Sequence, residues 1–351
     1  LVKPRRLNQE HRSVLARPLF SRLGLPRLLK ATLAMGAMGA MAFMTVSAFA
    51  QGTGVGTWPN RPVKVIVNFG PGGSADNSMR PFAERLSRAL GQQFVIENKG
   101  GASGALGLEA AARSAPDGYT FVVTPALSVT ILPHLRKLPF DIFKDLTPVT
   151  QFTDGTLLFA VHPSVPANSV QEFVAYAKKN PGKLSWGTAG IGSHGHMLCE
   201  IVKLYGGIDI LHVPYRGGGE SLADFLAGVV QVHADPNTLP NVTAGKAKLL
   251  AVIDRERHPA FPDVPMMKEI YPEINFVAWF GMFAPAGTPQ PIVAKMAEEM
   301  NKIAQQPDMA PFLLKFALRP YPGTPDEFTK LLRSDYDRYG KLVTELKMTV
   351  D

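Results

Sequence analysis

Cysteine is almost absent. The 351 residues hold one, Cys199, which excludes a disulfide-stapled scaffold and a cysteine-rich zinc module. Charge imbalance is scarce too, although the formal net charge is +8. Eight of the 37 basic groups and one of the 29 acidic groups fall within residues 1–50, so the remainder carries 29 basic against 28 acidic groups. A basic nucleic-acid-binding surface is therefore not expected. Long apolar runs are confined to residues 31–50; beyond them no stretch reaches 18 apolar residues, which excludes a later membrane-spanning helix. What remains is an ordinary globular composition, 46% hydrophobic, and a length that suggests two domains at roughly 100–200 residues each.

Residues 1–50 read as an export signal: a basic region to Lys30, an apolar run, and Ala48-Phe49-Ala50 at its end, the small-x-small pattern of a cleavage site. Cleavage after Ala50 is expected, with residues 51–57 as a flexible tail. The chain is then periplasmic, in a Gram-negative type of envelope, where ATP, NAD and coenzyme A are scarce.

The mature segment alternates strands and helices. Residues 62–69 (PVKVIVNF) form a β-branched apolar run, as a buried strand should. A Gly-Pro-Gly-Gly break follows, then helical spacing over 74–90 with Gly91 as its stop. The unit repeats through strands at 94–97 and 119–124. A second block has strands at 157–162, 184–188, 208–213, 229–234 and 248–253. Its helices are at 170–179 (N-cap Ser169), 196–204 and 219–227. A last segment has a strand at 275–283 and helices at 289–305 (N-cap Thr288) and 326–346. It holds too few strands for a domain and is expected to pack back on the first block. The fold class is α/β, with parallel sheets covered on both faces. Two lobes enclose a cleft: residues 58–153 and 276–351 form lobe 1, and 154–275 form lobe 2.

Two turns stand out. In 69–76 (FGPGGSAD) a strand end meets a helix start, where backbone amides and the helix dipole favour an anion; Ser74 or Asp76 could instead simply cap the helix. No Lys follows Gly73, so this is no P-loop, and no Gly stands two places after Ser74, so it is no nucleophile elbow. The second turn, 190–195 (GIGSHG), matches G-x-G-x-x-G, with Asp209 nineteen residues beyond Gly190. Its mid-chain position and the compartment argue against a dinucleotide, and it serves equally as an anion site with Ser193 as donor. His194 and His196 are two apart, which does not place both on one helical face as a metal pair requires. A hydrogen-bonding or core role is expected for them, and Cys199 reads as a buried small hydrophobe. Asp235 follows a strand and could reach the cleft, or could simply open a turn. Catalytic residues, cofactor and metal are all expected to be absent.

Several segments together carry a resemblance: WPNRPVKVIVNFGPGGSAD, VIENKGGASGALGLEAAARSAPDGYT, PFDIFKDLTPVT, VHPSVPANSVQEFVAYAKKNPGKLSWGTAG, HVPYRGGGESLADFLAGVVQV and FVAWFGMFAPAGTPQPIV. In their order and spacing they resemble the extracytoplasmic receptors of tripartite tricarboxylate transporters, the Bug family, from about Trp58 to Asp351. The resemblance implies a two-lobed periplasmic binding protein of the Venus-flytrap type (type II), a non-enzyme. Its partners would be a small carboxylate (a di- or tricarboxylate, an acidic amino acid or an aromatic acid) and the membrane permease subunits. Carried over, the carboxylate is gripped by Phe69, Gly72, Gly73, Ser74, Ala75 and Asp76 on one side. Thr188, Ala189, Gly192, Ser193, His194 and His196 grip it on the other, and Thr124, Pro125, Ala126 and Asp235 also line the cleft. The chain departs from the family where Gly70 replaces a common Pro, at Ile191, where polar residues are usual, and at Gly195, where Gln is. The competing readings are an exported hydrolase acting on a carboxylate ester, and a sensor presenting its ligand to a membrane kinase.

Overall fold

The computed structural model describes residues 57–274 and 276–349; the expected leader and residues 51–56 of the expected tail lie outside them. The elements, in chain order, are β1 Val63–Val67, α1 Ser74–Leu90, β2 Phe94–Asn98, α2 Ala105–Ala112, β3 Thr120–Pro125, β4 Leu146–Gly155, β5 Leu157–Val161, α3 Val170–Lys179, β6 Ser185–Thr188, α4 His194–Gly206, β7 Leu211–Pro214, α5 Gly218–Leu226, β8 Val232–Ala234, β9 Lys248–Ile253, β10 Ala278–Pro285, α6 Gln290–Ala304, β11 Leu318–Pro320 and α7 Pro325–Glu345. Shorter helical segments connect them.

The strands form two sheets, ordered β11-β4-β10-β3-β1-β2 and β7-β6-β8-β5-β9. The last block does return to the first: β10 lies between β3 and β4. The sheets are mixed and not parallel throughout. β10 runs antiparallel to both neighbours, and β5 is antiparallel to β8 and β9. In the first sheet β4 points the same way as β1, β2 and β3, and β10 and β11 are the reversed strands. In the second sheet β5 alone is reversed, and the chain passes from β4 to β5 through Thr156 alone.

Local chemistry explains most boundaries. β1 buries every residue but Lys64, because helices cover both faces of its sheet. Gly91 ends α1 in the left-handed region (φ 68°), which costs a glycine little. Ser169 caps α3 by accepting from the Glu172 amide at 3.1 Å, and Thr324 and Glu327 form a capping box that opens α7. Thr288 does not cap α6: its hydroxyl donates to the Pro285 carbonyl at 2.7 Å, and Pro289 holds the N-cap position.

Two strands, β4 and β11, carry no apolar run to announce them. β4 is LTPVTQFTDG, yet Thr150, Gln151, Thr153 and Asp154 are all buried. Three of them find partners: Thr150 Oγ1 donates to the Gly323 carbonyl at 2.8 Å, and Gln151 donates to Asp154; the Thr153 hydroxyl has none. The crossing is braced in the same way. The Thr156 hydroxyl donates to the Asp254 carboxylate, its amide donates to Ala317 O at 2.8 Å, and Arg319 meets Asp254 at 3.1 Å. Among the described residues no helix is long and apolar enough to cross a membrane.

Candidate ligand-binding site

In each sheet three neighbouring strands run parallel, β3-β1-β2 and β7-β6-β8. The turns leaving their C-terminal ends meet, and a pocket lies between them, lined from both halves.

The turn after β1 enters α1 with Gly73 at the N-cap and no side-chain cap. Helix geometry leaves the first amides of α1 without intrahelical partners. Ser74 is used across the pocket instead: its Oγ donates to the Asp235 carboxylate and accepts from the Asn237 amide at 3.1 Å. Asp76 folds the turn. It accepts from Gly72 N (2.9 Å), from Arg80 Nε (2.8 Å) and from Asn98 Nδ2 (3.0 Å), so its carboxylate is spent on structure and repels no incoming anion directly.

The turn after β6 is built on histidine. Ser193 caps α4 by accepting from His196 N at 3.2 Å. His196 Nδ1 accepts from Gly192 N at 3.0 Å, and Thr188 Oγ1 accepts from Gly190 N at 3.2 Å. The His196 ring stacks on His212, centroids 4.2 Å apart. Burial pulls the His196 pKa down to about 4, so the ring is the neutral acceptor that the Gly192 amide needs. His194 and His233, buried as well, are drawn down by burial to about 3. Asp235, half-buried, is pushed above the usual carboxylate range by desolvation, against the opposing hydrogen bonds from Ser74 and Asn237.

Ten of the sixteen expected site residues line the pocket. Phe69, Gly73, Ser74, Ala75 and Pro125 come from one half, and Thr188, Ala189, Ser193, His194 and Asp235 from the other. The remaining six stand behind it. Gly72 is exposed, and Asp76 and His196 brace their turns. Gly192 abuts Leu135 and Ile131. Thr124 accepts from Asn68 Nδ2 at 2.9 Å, and Ala126 is fully buried in the helical segment after β3.

Two further turns reach the pocket without having been expected there. After β2, Ser103 lines it in a left-handed conformation (φ 57°), its carbonyl accepting from Ser128 Oγ at 3.1 Å. After β7, Gly218 lines it, and the turn packs backbone on backbone against the turn after β1. A Cβ on Gly217 would stand 3.1 Å from Gly70 N, and one on Gly219 would stand 2.8 Å from Pro71 O. The signal was in the sequence: both are Gly-rich strand-to-helix turns, as are the two that were singled out. Leu157, Ala278 and Phe280 add an apolar wall from the crossing strands.

The dinucleotide match dissolves in this setting. Asp209 precedes β7, and its carbonyl accepts from Gly182 N at 3.1 Å, at the strand end away from the turn. The third glycine, Gly195, packs under Ala234 O, where a Cβ would meet that oxygen at 3.2 Å. Among the described residues no three His, Cys, Asp or Glu side chains group as metal ligands.

Two α/β halves, joined by a short braced crossing at Thr156 and a longer one over 254–277, with a pocket formed by opposed strand-to-helix turns, define a two-lobed solute-binding protein. The chain belongs to the tripartite tricarboxylate transporter family receptors, whose family model matches residues 78–348. It is 31% identical to the protein BugT of Bordetella pertussis over 311 residues, 86% of this chain and 94% of that one. Among solved structures it is similar to the periplasmic binding protein BugD, with a TM-score of 0.79, 30% identity, and coverage of 83% of this chain and 99% of that one. It is also similar to MatC from Rhodopseudomonas palustris with bound malate, with a TM-score of 0.77, 31% identity, and coverage of 82% and 100%. The family is one of periplasmic solute-binding receptors and not of enzymes, which removes the esterase reading.

Proposed function

We propose that this receptor captures a small carboxylate in the pocket between its lobes, closes on it, and delivers it to the membrane permease of a tripartite transporter. The observation that carries this is the convergence of two helix N-termini, those of α1 and α4, on one buried pocket. Each offers unpaired amides and a positive dipole end to an anion, and Ser193 adds a hydroxyl. MatC, similar over its whole length, holds malate, which supports a carboxylate here.

The sheet membership of the strands supports lobes of residues 58–153 with 276–351, and of 154–275. Closure is favoured because the cargo touches both lobes only when they meet. Residues 1–50 serve as a cleaved leader that takes the chain to the periplasm.

A thermal-shift screen of the purified protein against mono-, di- and tricarboxylates, acidic amino acids and aromatic acids tests the reading. Cargo at 100 times its dissociation constant stabilises by about 2.7 kcal/mol, a shift of several degrees. Ser193→Ala should reduce that shift. No shift with any carboxylate refutes the reading.

A further inference from the structure

Beside the pocket lies a second space between the two halves, and Ser103 lines both. The pocket is the smaller, about 40 Å³ against about 260 Å³ for the neighbouring recess. An acid too large for the pocket has the recess as its adjoining space. Their charges differ as well. Among the described residues no lysine or arginine lines the pocket, whereas the recess has two arginines.

These come from opposite halves: Arg136 from the segment between β3 and β4, and Arg216 from the turn after β7. Among the described residues no Asp or Glu lines the recess, and neither guanidinium has a hydrogen-bond or ion-pair partner. Glu220, the nearest carboxylate to Arg216 in sequence, accepts from the Arg216 backbone amide at 3.3 Å. The Tyr215 hydroxyl is committed to Asp224 at 2.6 Å. At the junction of the two spaces, the Ser103 hydroxyl sits under the turn after β6, where a Cβ on Gly190 would stand 3.1 Å from it. Two guanidinium groups on the walls of one recess repel, and no charge in its walls offsets them. A carboxylate between them would be met from both halves at once, by planar donor forks that match its geometry.

We propose that this recess holds a second carboxylate of the cargo, gripped by Arg136 from one half and Arg216 from the other, so that the cargo is an acid of at least two negative charges. This rests on the reading of the pocket as the carboxylate site. The two turns hold the first carboxylate, which every candidate acid has. The arginines select the acids that carry another, at the separation the junction at Ser103 allows. Because they come from different halves, the second charge also ties the halves together.

The test is calorimetric titration of the purified protein with succinate, glutarate, adipate and pimelate, each beside its own monomethyl ester. Within a pair the first carboxylate and the carbon chain are kept, and only the second charge is removed. At the length that fits, the diacid should bind at least about tenfold more tightly than its half-ester, the worth of one charge-assisted hydrogen bond. Arg136→Gln and Arg216→Gln should each cut that advantage to about threefold or less and leave half-ester binding within about twofold. Both side chains are exposed, so neither change should disturb folding. Lys137→Gln is the control: it removes an exposed charge beside Arg136 that does not line the recess, and the advantage should persist. No advantage at any length, an advantage undiminished by either arginine substitution, or an equal loss in Lys137→Gln overturns the inference, and half-ester binding then leaves the carboxylate reading standing. No binding by any of these acids overturns both this inference and the carboxylate reading on which it rests.

Discussion

Closure of the proposed lobes brings backbone against backbone at the turns after β1 and β7, and a single methyl group at the tightest of these approaches should oppose it. A Cβ added to Gly219 would stand 2.8 Å from the Pro71 carbonyl oxygen, 3.5 Å from Gly72 C and 3.6 Å from Gly73 N. All three are backbone atoms of the opposite half, at the turn proposed to grip the cargo, so no side chain can swing away. Overpacking of this kind costs about 1–3 kcal/mol. The cost falls on the closed form alone, because an opened cleft separates the two turns. Gly219→Ala should therefore weaken cargo binding about five- to 150-fold, with the melting temperature of the unliganded protein unchanged. Small-angle scattering of the variant should show a larger radius of gyration at cargo concentrations that compact the unsubstituted protein. Gly70→Ala, in the same turn, is the control: its added Cβ meets nothing within 4 Å, and binding should stay within twofold. Wild-type affinity in Gly219→Ala would refute the idea that these backbones touch in the bound state. Equal losses in the two variants would refute the contact as the cause.

Three more outcomes are expected. Gly281→Ala would place a Cβ 2.2 Å from Phe328 Cζ, on a ring held between Trp279 and Phe283. It should lower the melting temperature by several degrees, and pairing it with Phe328→Leu should recover part of the loss; additive losses would refute the clash. His194, His212 and His233 are drawn down to about 3, and His196 to about 4, all by burial. Unfolding therefore takes up protons below pH 6.5, and stability is full above that value and lost on acidification. The slope is at most about 1.4 kcal/mol per pH unit for each ring, offset in part by Asp154, whose pKa burial raises to about 6. The melting temperature should fall from pH 6.5 to 5 while the four ring resonances stay flat in NMR, and a ring titrating near 6.5 would contradict this. Cys199 is fully buried, and burial drives its thiol far above the ordinary range, so a thiol reagent should label it in urea and not in the native protein.

The parts of the fold that a sequence shows are those where one chemistry dominates. β1 and β3 are continuous apolar runs and α1 has helical spacing with a glycine stop, so their places were legible. β4 was not, because its buried side chains are threonine, glutamine and aspartate, made acceptable by partners as far along the chain as Gly323. Strand direction was illegible for a related reason: the same apolar run serves a parallel or an antiparallel neighbour, and β10 lies more than 150 residues from β3. The site was half legible. Local glycine turns revealed Gly73, Ser74 and Ser193, whereas Leu157, Ala278 and Phe280 reach the pocket from the crossing strands, which no local pattern announces. Asp76 and His196 have the right chemistry for a ligand and spend it on the turns they sit in, and only geometry separates those uses.

The place of β10 sets an order of assembly. Its neighbours, β3 and β4, are made early, but the six-stranded sheet has a gap between them until residues 278–285 arrive. The strands from 157 to 253 form their own sheet in one unbroken stretch, and their ends are brought together when Gly155 pairs with Ala278. The second half can thus complete itself from contiguous sequence, while the first half, though begun earlier, must wait for the last quarter of the chain. Long-range pairing of this kind is slow, so the half that is begun first should be the last to be finished.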